Sequence, residues 1–334
     1  MDGYAVRGPA PWRVVGRRLA GPGAAPGTLL PGTAVEIATG APVPGEADAV
    51  LPYERSIRVD DTVTPDPQAP AGRRNIRVAG EDAQAGDPLV PAGRRVTSAV
   101  LGAAAQAGAD TLAVRRRPAV RLAVTGDEIV HGGVPAPGLV RDALGPAVAA
   151  VVAAAGGTVA ASVHLPDDGA ALHAALTAGG ADVLVVTGSS SVGAADHLHR
   201  VLAGLGAAWH VDGVQCRPGH PQLLARLPGD GPWVVGLPGN PFAGLVAALT
   251  LLQPLLEALT GAAPAPGVRL PVFGSAPVPA RGVRLVPVHL EPTRATIATG
   301  ARPASLRAAA TADALAVLDP GWTDGAPADL LPIP

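Results

Sequence analysis

The chain has 334 residues, 48% hydrophobic and 16% charged, which supplies cores for two or three domains and excludes a wholly disordered chain. The formal charge of −2 excludes a nucleic-acid-coating surface, and because every Lys-or-Arg position is arginine, Schiff-base and P-loop lysine chemistry are excluded as well. The single cysteine, Cys216, rules out an internal disulfide and a Cys-rich metal cluster, and an aromatic content of only 2% leaves the core to Ala, Val and Leu.

The start, with Asp2 and Arg7, shows no apolar h-region, so no signal peptide is read and a cytoplasmic compartment is expected. Residues 15–75 are rich in Pro, Gly and Val and carry turn signals. Within them Gly32–Ala38 and Asp48–Tyr53 predict short strands. An Ala-rich helix is predicted over 97–108. From 118 to 261 apolar runs and helical patterns alternate. Strands are predicted at Ala119–Val124, Thr158–Leu165, Asp182–Val186 and Trp233–Leu237. Helices are predicted at Asp142–Ala155, Gly169–Ala178, Asp196–Leu205 and Pro241–Leu259. Such alternation implies a doubly wound parallel sheet. Two apolar stretches, 147–163 and 242–259, are read as buried helices rather than membrane spans, so neither a membrane nor a nucleic acid is expected as a partner. After Ala262–Gly267, a natural linker, residues 268–334 turn β again, with strands at Val268–Val272, Val283–Leu290 and Ala314–Leu318.

Ligands of an open parallel sheet bind beyond the carboxyl ends of its strands. Here those ends carry Thr125-Gly-Asp-Glu128, Pro166-Asp-Asp168, Thr187-Gly-Ser-Ser-Ser-Val-Gly193 with Asp196, and Leu237-Pro-Gly-Asn-Pro241. The small-residue loop Gly188–Gly193 leads into a helix, so it is either a phosphate cradle or an ordinary strand–helix turn. Asp127, Glu128, Asp167 and Asp196 would gather at one edge. Crowded carboxylates call for a cation, and Mg²⁺ is the economical one. Aspartate also caps helices; Asp168 and Asp142 are read as caps, and Asp127 suits either role. Pro238, Gly239 and Asn240 form a stiff corner, a pocket wall or simply a turn. Arg217-Pro-Gly-His220-Pro offers a cation and an imidazole on a tight turn suited to an oxyanion. Cys216 beside it reads as a buried small residue, and no His-x-x-x-His or His-Glu-x-x-His spacing supports a zinc site.

Taken together, these segments resemble the molybdopterin molybdenumtransferases of the MoeA type, related to the gephyrin E domain. The resemblance rests on Met1-Asp-Gly-Tyr-Ala5, Ile37–Pro44 with Ala47-Asp-Ala49, Asn75–Asp82, and the five segments Thr125–Glu128, Pro166–Asp168, Ser191–Gly193 with Asp196, Arg217–Pro221 and Leu237–Pro241, all in the family's order. It implies a multidomain α/β protein: a linking domain at 1–14 and 76–117, lacking its N-terminal part, a β-rich inserted domain at 15–75, an α/β molybdopterin-binding domain at 118–261 and a C-terminal β-barrel at 268–334. The implied reaction inserts molybdate into adenylylated molybdopterin with Mg²⁺, releasing AMP and forming molybdenum cofactor. It implies a homodimer, and a molybdopterin adenylyltransferase as partner. By the same resemblance Glu128, Asp167 and Asp196 hold the metal. Asp2, Thr39, Asp82 and Arg77 reach across the dimer, and Gly188, Ser189, Ser190, Ser191 and Gly193 cradle a phosphate. Arg217, His220, Pro238, Gly239 and Asn240 complete the pterin-nucleotide site. The chain departs from the family pattern at Ser189, where a glycine is usual, at Arg217 and His220, where lysines are usual, and at Asp142-Ala-Leu144, where a polar amide is lost. These departures motivate a second reading, a catalytically weak paralogue that binds molybdopterin or a partner enzyme as a scaffold.

Overall fold

The computed structural model describes residues 1–22, 27–70, 72–188, 197–264 and 266–334. The chain divides into two compact units, Met1–Leu89 and Val90–Pro334.

The first unit is one six-stranded sheet in the order β4-β1-β3-β2-β6-β5. Its strands are β1 (Gly3–Val6), β2 (Trp12–Arg18), β3 (Thr33–Ile37), β4 (Ala49–Pro52), β5 (Ser56–Val59) and β6 (Thr62–Pro65). The expected border at residue 14 falls inside this sheet. Residues 3–6 lie antiparallel between β3 and β4, and Tyr4, Ala5 and Val6 are buried. The physical reason is simple: a strand that hydrogen-bonds on both edges and is covered on both faces belongs to the sheet that covers it. The segment after the sheet stays with it too, because Val50 N–H donates to Arg74 O and Ile76 packs on the Ala5/Ile37/Val50 cluster.

In the second unit, α1 (Ser98–Gln106) precedes a sheet of order β10-β7-β11-β15-β14-β12. Its strands are β7 (Ala119–Thr125), β10 (Thr158–Leu165), β11 (Val183–Thr187), β12 (Ala208–Asp212), β14 (Leu223–Arg226) and β15 (Trp233–Leu237). A short parallel pair, β8 (Ile129–Val130) and β9 (Val140–Arg141), follows β7. The four predicted strands are the parallel ones. Strands β12 and β14 add an antiparallel margin that the apolar pattern did not announce.

Helices cover both faces. On one, α2 (Leu144–Ala154) and a continuous helix at Pro241–Thr260 pack on Val120, Leu122, Val124, Val183, Val185, Val235 and Leu237. That helix comprises α5 (Pro241–Ala247), a π-helical turn (Ala248–Leu252) and α6 (Gln253–Thr260). It is apolar and 20 residues long, yet Phe242, Val246, Leu252 and Leu256 are buried in the core, as expected of a core helix. Of the other apolar stretch only the first part is helical; residues 158–163 belong to β10. On the opposite face, α3 (Gly169–Thr177) and α4 (His197–Gly204) cover Ala123, Leu184, Val186 and Val234. This two-faced burial explains the uninterrupted apolar run of β11, all five residues of which are buried.

The C-terminal strands β16 (Val268–Phe273), β17 (Val283–Glu291), β18 (Arg294–Ile297), β19 (Ala314–Leu318) and β20 (Pro327–Pro332) close into a five-stranded barrel, because β17 pairs with both β18 and β19. A short strand β13 (Cys216–Arg217), from the α/β layer, pairs in parallel with β17.

Where β7 and β11 begin, Asp182 ties the sheet together. It accepts two 2.6 Å hydrogen bonds from the Arg116 guanidinium and one of 2.7 Å from Ala119 N–H. The Arg116 pairing holds its carboxyl below the usual 3.8. A carboxylate depressed on folding adds stability that is present above the unfolded value and lost as pH falls through the folded one. Asp182→Asn is therefore expected to destabilise the chain by roughly 1 kcal/mol at neutral pH, an amount discounted for the exposed arginine. In urea unfolding the two proteins should converge in acid, below the depressed folded value.

Candidate functional site at the strand ends

The parallel strands run in the order second, first, third, fourth, so the topology reverses between β7 and β11. At this switch point the backbone is unusually close. The buried Thr125 hydroxyl donates to Thr187 O at 2.6 Å, and Gly188 N–H donates to Leu237 O at 3.1 Å. Gly188 has φ +90, and a Cβ there would lie 2.8 Å from Thr125 Oγ1 and 3.0 Å from Thr125 O. Only glycine meets both the positive φ and the contact. A Cβ on Gly239 would in turn lie 3.3 Å from the Gly188 Cα. The ends of β7, β11 and β15 thus converge on glycine backbone, the arrangement that lets a ligand's oxygens come close to main-chain N–H groups.

Carboxylates follow the ends of β7 and β10. Gly126, with φ +133, turns the chain after β7, and the space where its Cβ would stand is filled by the Glu128 carboxylate, with Oε2 at 2.6 Å. Asp127 Oδ1 accepts from Asp167 N–H at 3.4 Å, joining the ends of the neighbouring strands β7 and β10. Asp127, Glu128 and Asp167 are all exposed. Asp168 caps α3, accepting from Ala170 N–H at 2.5 Å and Ala171 N–H at 3.1 Å, which holds its carboxyl below the usual range. Asp142 Oδ1 likewise accepts from Leu144 and Gly145 N–H at the start of α2. The two aspartates read as caps are caps, and Glu128 and Asp167 are left facing solvent.

The donor set suits a hard cation: carboxylate oxygens, no thiolate, and no ion pair from a described residue to Asp127, Glu128 or Asp167. Among the described residues no three metal-ligating side chains come together. Asp196, with Ser189, Ser190, Ser191 and Gly193 of the expected cradle, lies outside the described residues.

The corner after β15 is closed from within. Phe242 and Ala243 N–H both donate to Pro303 O of the C-terminal region, so the start of α5 is occupied by a carbonyl, and Pro238 is buried while Gly239 and Asn240 are exposed. At the end of β13, Arg217 is exposed; the turn that follows carries His220. The His220 ring folds back so that Nδ1 lies 2.7 Å from Val214 O, leaving Nε2 as its free nitrogen. Below the turn the buried Gln222 donates to Gly219 O at 3.0 Å. Cys216 is buried, and burial raises its thiol pKa, as fits a packing residue.

One residue escaped the sequence reading. Arg284 of β17 is the register partner of Arg217 in β13, so two guanidinium side chains leave neighbouring strands on the same face. Its Nε is the one buried side-chain polar atom without a partner among the described residues, and neither arginine has an acidic partner there. Only the β13–β17 pairing, between positions 67 residues apart, could have revealed it.

In the first unit, Asp2 Oδ1 accepts from Thr39 N–H at 2.5 Å and Thr39 Oγ1 at 2.7 Å, which lowers its carboxyl pKa. Arg77 and Asp82 form an ion pair. The four residues expected to act together from this region are thus two bonded pairs. A groove of about 570 Å³ in the same unit is lined by Met1, Pro52, Glu54, Arg55, Arg73 and Asn75.

Similarity to known proteins agrees with this anatomy. Residues 1–108 match the family described as "MoeA N-terminal region (domain I and II)", and residues 122–258 match "Probable molybdopterin binding domain". The molybdopterin molybdenumtransferase of Synechococcus elongatus is 33% identical over 273 residues, 77% of this chain and 68% of its own length. Molybdopterin molybdenumtransferase 2 of Mycobacterium tuberculosis is 36% identical over 242 residues, 70% of this chain and 59% of its own. The Nostoc molybdopterin molybdenumtransferase is 34% identical over 244 residues, 71% of this chain and 55% of its own, so the match spans little more than half of these two relatives. The crystal structure of a molybdopterin biosynthesis MoeA protein from Pyrococcus horikoshii matches with a TM-score of 0.76 and 26% identity, over 100% of this chain and 86% of that one. Sequence, barrel, doubly wound sheet and strand-end motifs converge on one conclusion: the chain belongs to the MoeA-type molybdopterin molybdenumtransferase family.

Proposed function

We propose that this chain inserts molybdate into adenylylated molybdopterin, releasing AMP and forming molybdenum cofactor. The observation that carries the reading is that Glu128, Asp167 and Gly188 stand at the ends of the neighbouring strands β7, β10 and β11, around a glycine-lined switch point. The same unit also holds Arg217 and Arg284, in register with each other and with no described carboxylate as partner. Glu128 and Asp167, with Asp196, would hold Mg²⁺. A cation held by these carboxylates would supply charge neutralisation for the phosphate bridge. The small-residue loop after Gly188, whose own N–H is taken by Leu237 O, would give main-chain N–H groups to phosphate oxygens. Arg217 and Arg284 grip an oxyanion side by side, as fixed cations that stay charged at any working pH. Asp2 with Thr39, and Arg77 with Asp82, serve the site from the first unit of a partner copy in a homodimer. A molybdopterin adenylyltransferase supplies the nucleotide-activated substrate in the cytoplasm.

The test is molybdate-dependent AMP release by the purified chain, with and without Mg²⁺. Metal-dependent release with active cofactor formed supports the reading. A folded chain that binds the pterin nucleotide and releases no AMP would replace it with the scaffold reading. The oxyanion grip makes a separate prediction. Arg284→Met should raise the KM for molybdate about tenfold or more, the worth of one charge-assisted hydrogen bond, while Arg284→Lys recovers part of it. An unchanged KM would remove Arg284 from the site.

A further inference from the structure

We infer that His164 is a positioning residue that clamps the Gly126–Ile129 turn and thereby sets the place of the Glu128 carboxylate; the step from clamp to turnover rests on the function proposed above. Nε2 of His164 lies 2.7 Å from Gly126 O. A carbonyl only accepts, so Nε2 carries the hydrogen. The same oxygen accepts from Ile129 N–H at 3.2 Å, and Gly126 N–H donates to Leu165 O at 3.2 Å. The turn that projects Asp127 and Glu128 is therefore tied by its first carbonyl to the neighbouring strand β10 through a side chain, in addition to the backbone ladder.

The clamp itself is braced. The His131 ring meets the His164 ring edge-on, with centroids 4.9 Å apart and planes at 73°. His131 Nδ1 stands 3.4 Å from Asp142 Oδ2, and the other oxygen of Asp142 accepts the first N–H groups of α2. A chain of contacts thus runs from a helix start through two imidazoles to the carbonyl of Gly126. Glu128 needs such a clamp. Its carboxylate occupies the space above the Gly126 Cα, its own carbonyl accepts from Val140 N–H at 2.7 Å, and no ion pair with a described residue holds its side chain. Rotation of the Gly126 peptide would move the carboxylate away from the switch point. A displacement of about 1 Å at a reacting group costs on the order of a hundredfold in rate.

The experiment compares wild type with His164→Gln, which keeps an N–H donor at the same reach, and His164→Leu, which has none. All three are first shown to be folded by thermal unfolding. Backbone amide hydrogen exchange of the peptide spanning 124–131 is the readout that does not depend on activity. Exchange is expected to quicken at least about tenfold at Gly126 and Ile129 in His164→Leu and to return toward wild type in His164→Gln. Titration with Mn²⁺, followed by its paramagnetic resonance, should show weaker binding in the leucine variant. AMP release should lose kcat about tenfold or more there, with little change in the KM of the pterin nucleotide, and recover in the glutamine variant. Unchanged exchange in a folded His164→Leu overturns the clamp. Faster exchange with wild-type Mn²⁺ binding and turnover overturns its role in positioning Glu128. A wild-type chain that releases no AMP counts against the proposed function alone, and the exchange comparison still decides the clamp.

Discussion

Gly188→Ala should be among the most damaging single changes in the α/β layer, although it adds only one methyl group. That methyl would stand 2.8 Å from Thr125 Oγ1 and 3.0 Å from a backbone oxygen, at a residue with φ +90. Relief requires the end of β7 to move, and Thr125 is held there by its 2.6 Å bond to Thr187 O. Backbone strain and forced overpacking together cost roughly 2–5 kcal/mol. The molecule can absorb this by losing the Thr125–Thr187 bond and opening the switch point. Chemical denaturation should show the loss of stability. If the proposed site is right, AMP release should fall by at least about a hundredfold even where the protein remains folded, because the opened ends no longer hold Gly188 and the Glu128 turn in register. Near-wild-type stability and turnover would mean that β7 and β11 can part here without consequence.

This contact also marks how far the sequence could be read. The parallel strands were legible because burial on both faces leaves an unbroken apolar run, as in Val183–Thr187. Helix caps were legible because capping is local: Asp168 and Asp142 bond N–H groups two or three residues away. The antiparallel margin was not. β12 reads Ala-Trp-His-Val-Asp and is mostly exposed, so it carries no apolar signal. β20 has proline at both ends and looks like a turn. The central place of β1 was hidden for a different reason. Its four residues are too few to show a period, and its partners begin about 30 and 46 residues later.

The site divides along the same line. Motif residues at strand ends could be listed from the sequence, since topology alone brings strand ends to one edge. What each does there depends on long-range register. Only the local role could be read ahead: of two neighbouring aspartates, Asp168 is expected as a cap and Asp167 at the acidic edge. In the fold one caps α3 and the other points to solvent. The pairing of Arg217 with Arg284, and the reach of His164 to Gly126, likewise belong to contacts across 67 and 38 residues.

Glu128→Gln isolates charge from shape at this edge. The amide is isosteric, the side chain is exposed, and it bonds to no described side chain, so folding should be unaffected. The two oxygens of a carboxylate accept a hard cation; an amide offers one weaker oxygen and a donor that repels it. If Glu128 helps to hold Mg²⁺ against the phosphate bridge, AMP release should drop on the order of a hundredfold to a thousandfold, with part of the loss recovered at high Mg²⁺. The pterin nucleotide should still bind, because the other groups proposed to hold it are untouched. Asp168→Asn, one helix start away, provides the contrast: it weakens a cap, lowers thermal stability and leaves the Mg²⁺ dependence as it was. Equal effects of the two substitutions on Mg²⁺ dependence would mean that the acidic edge acts as a diffuse field, and Glu128 would lose its assigned role as a ligand.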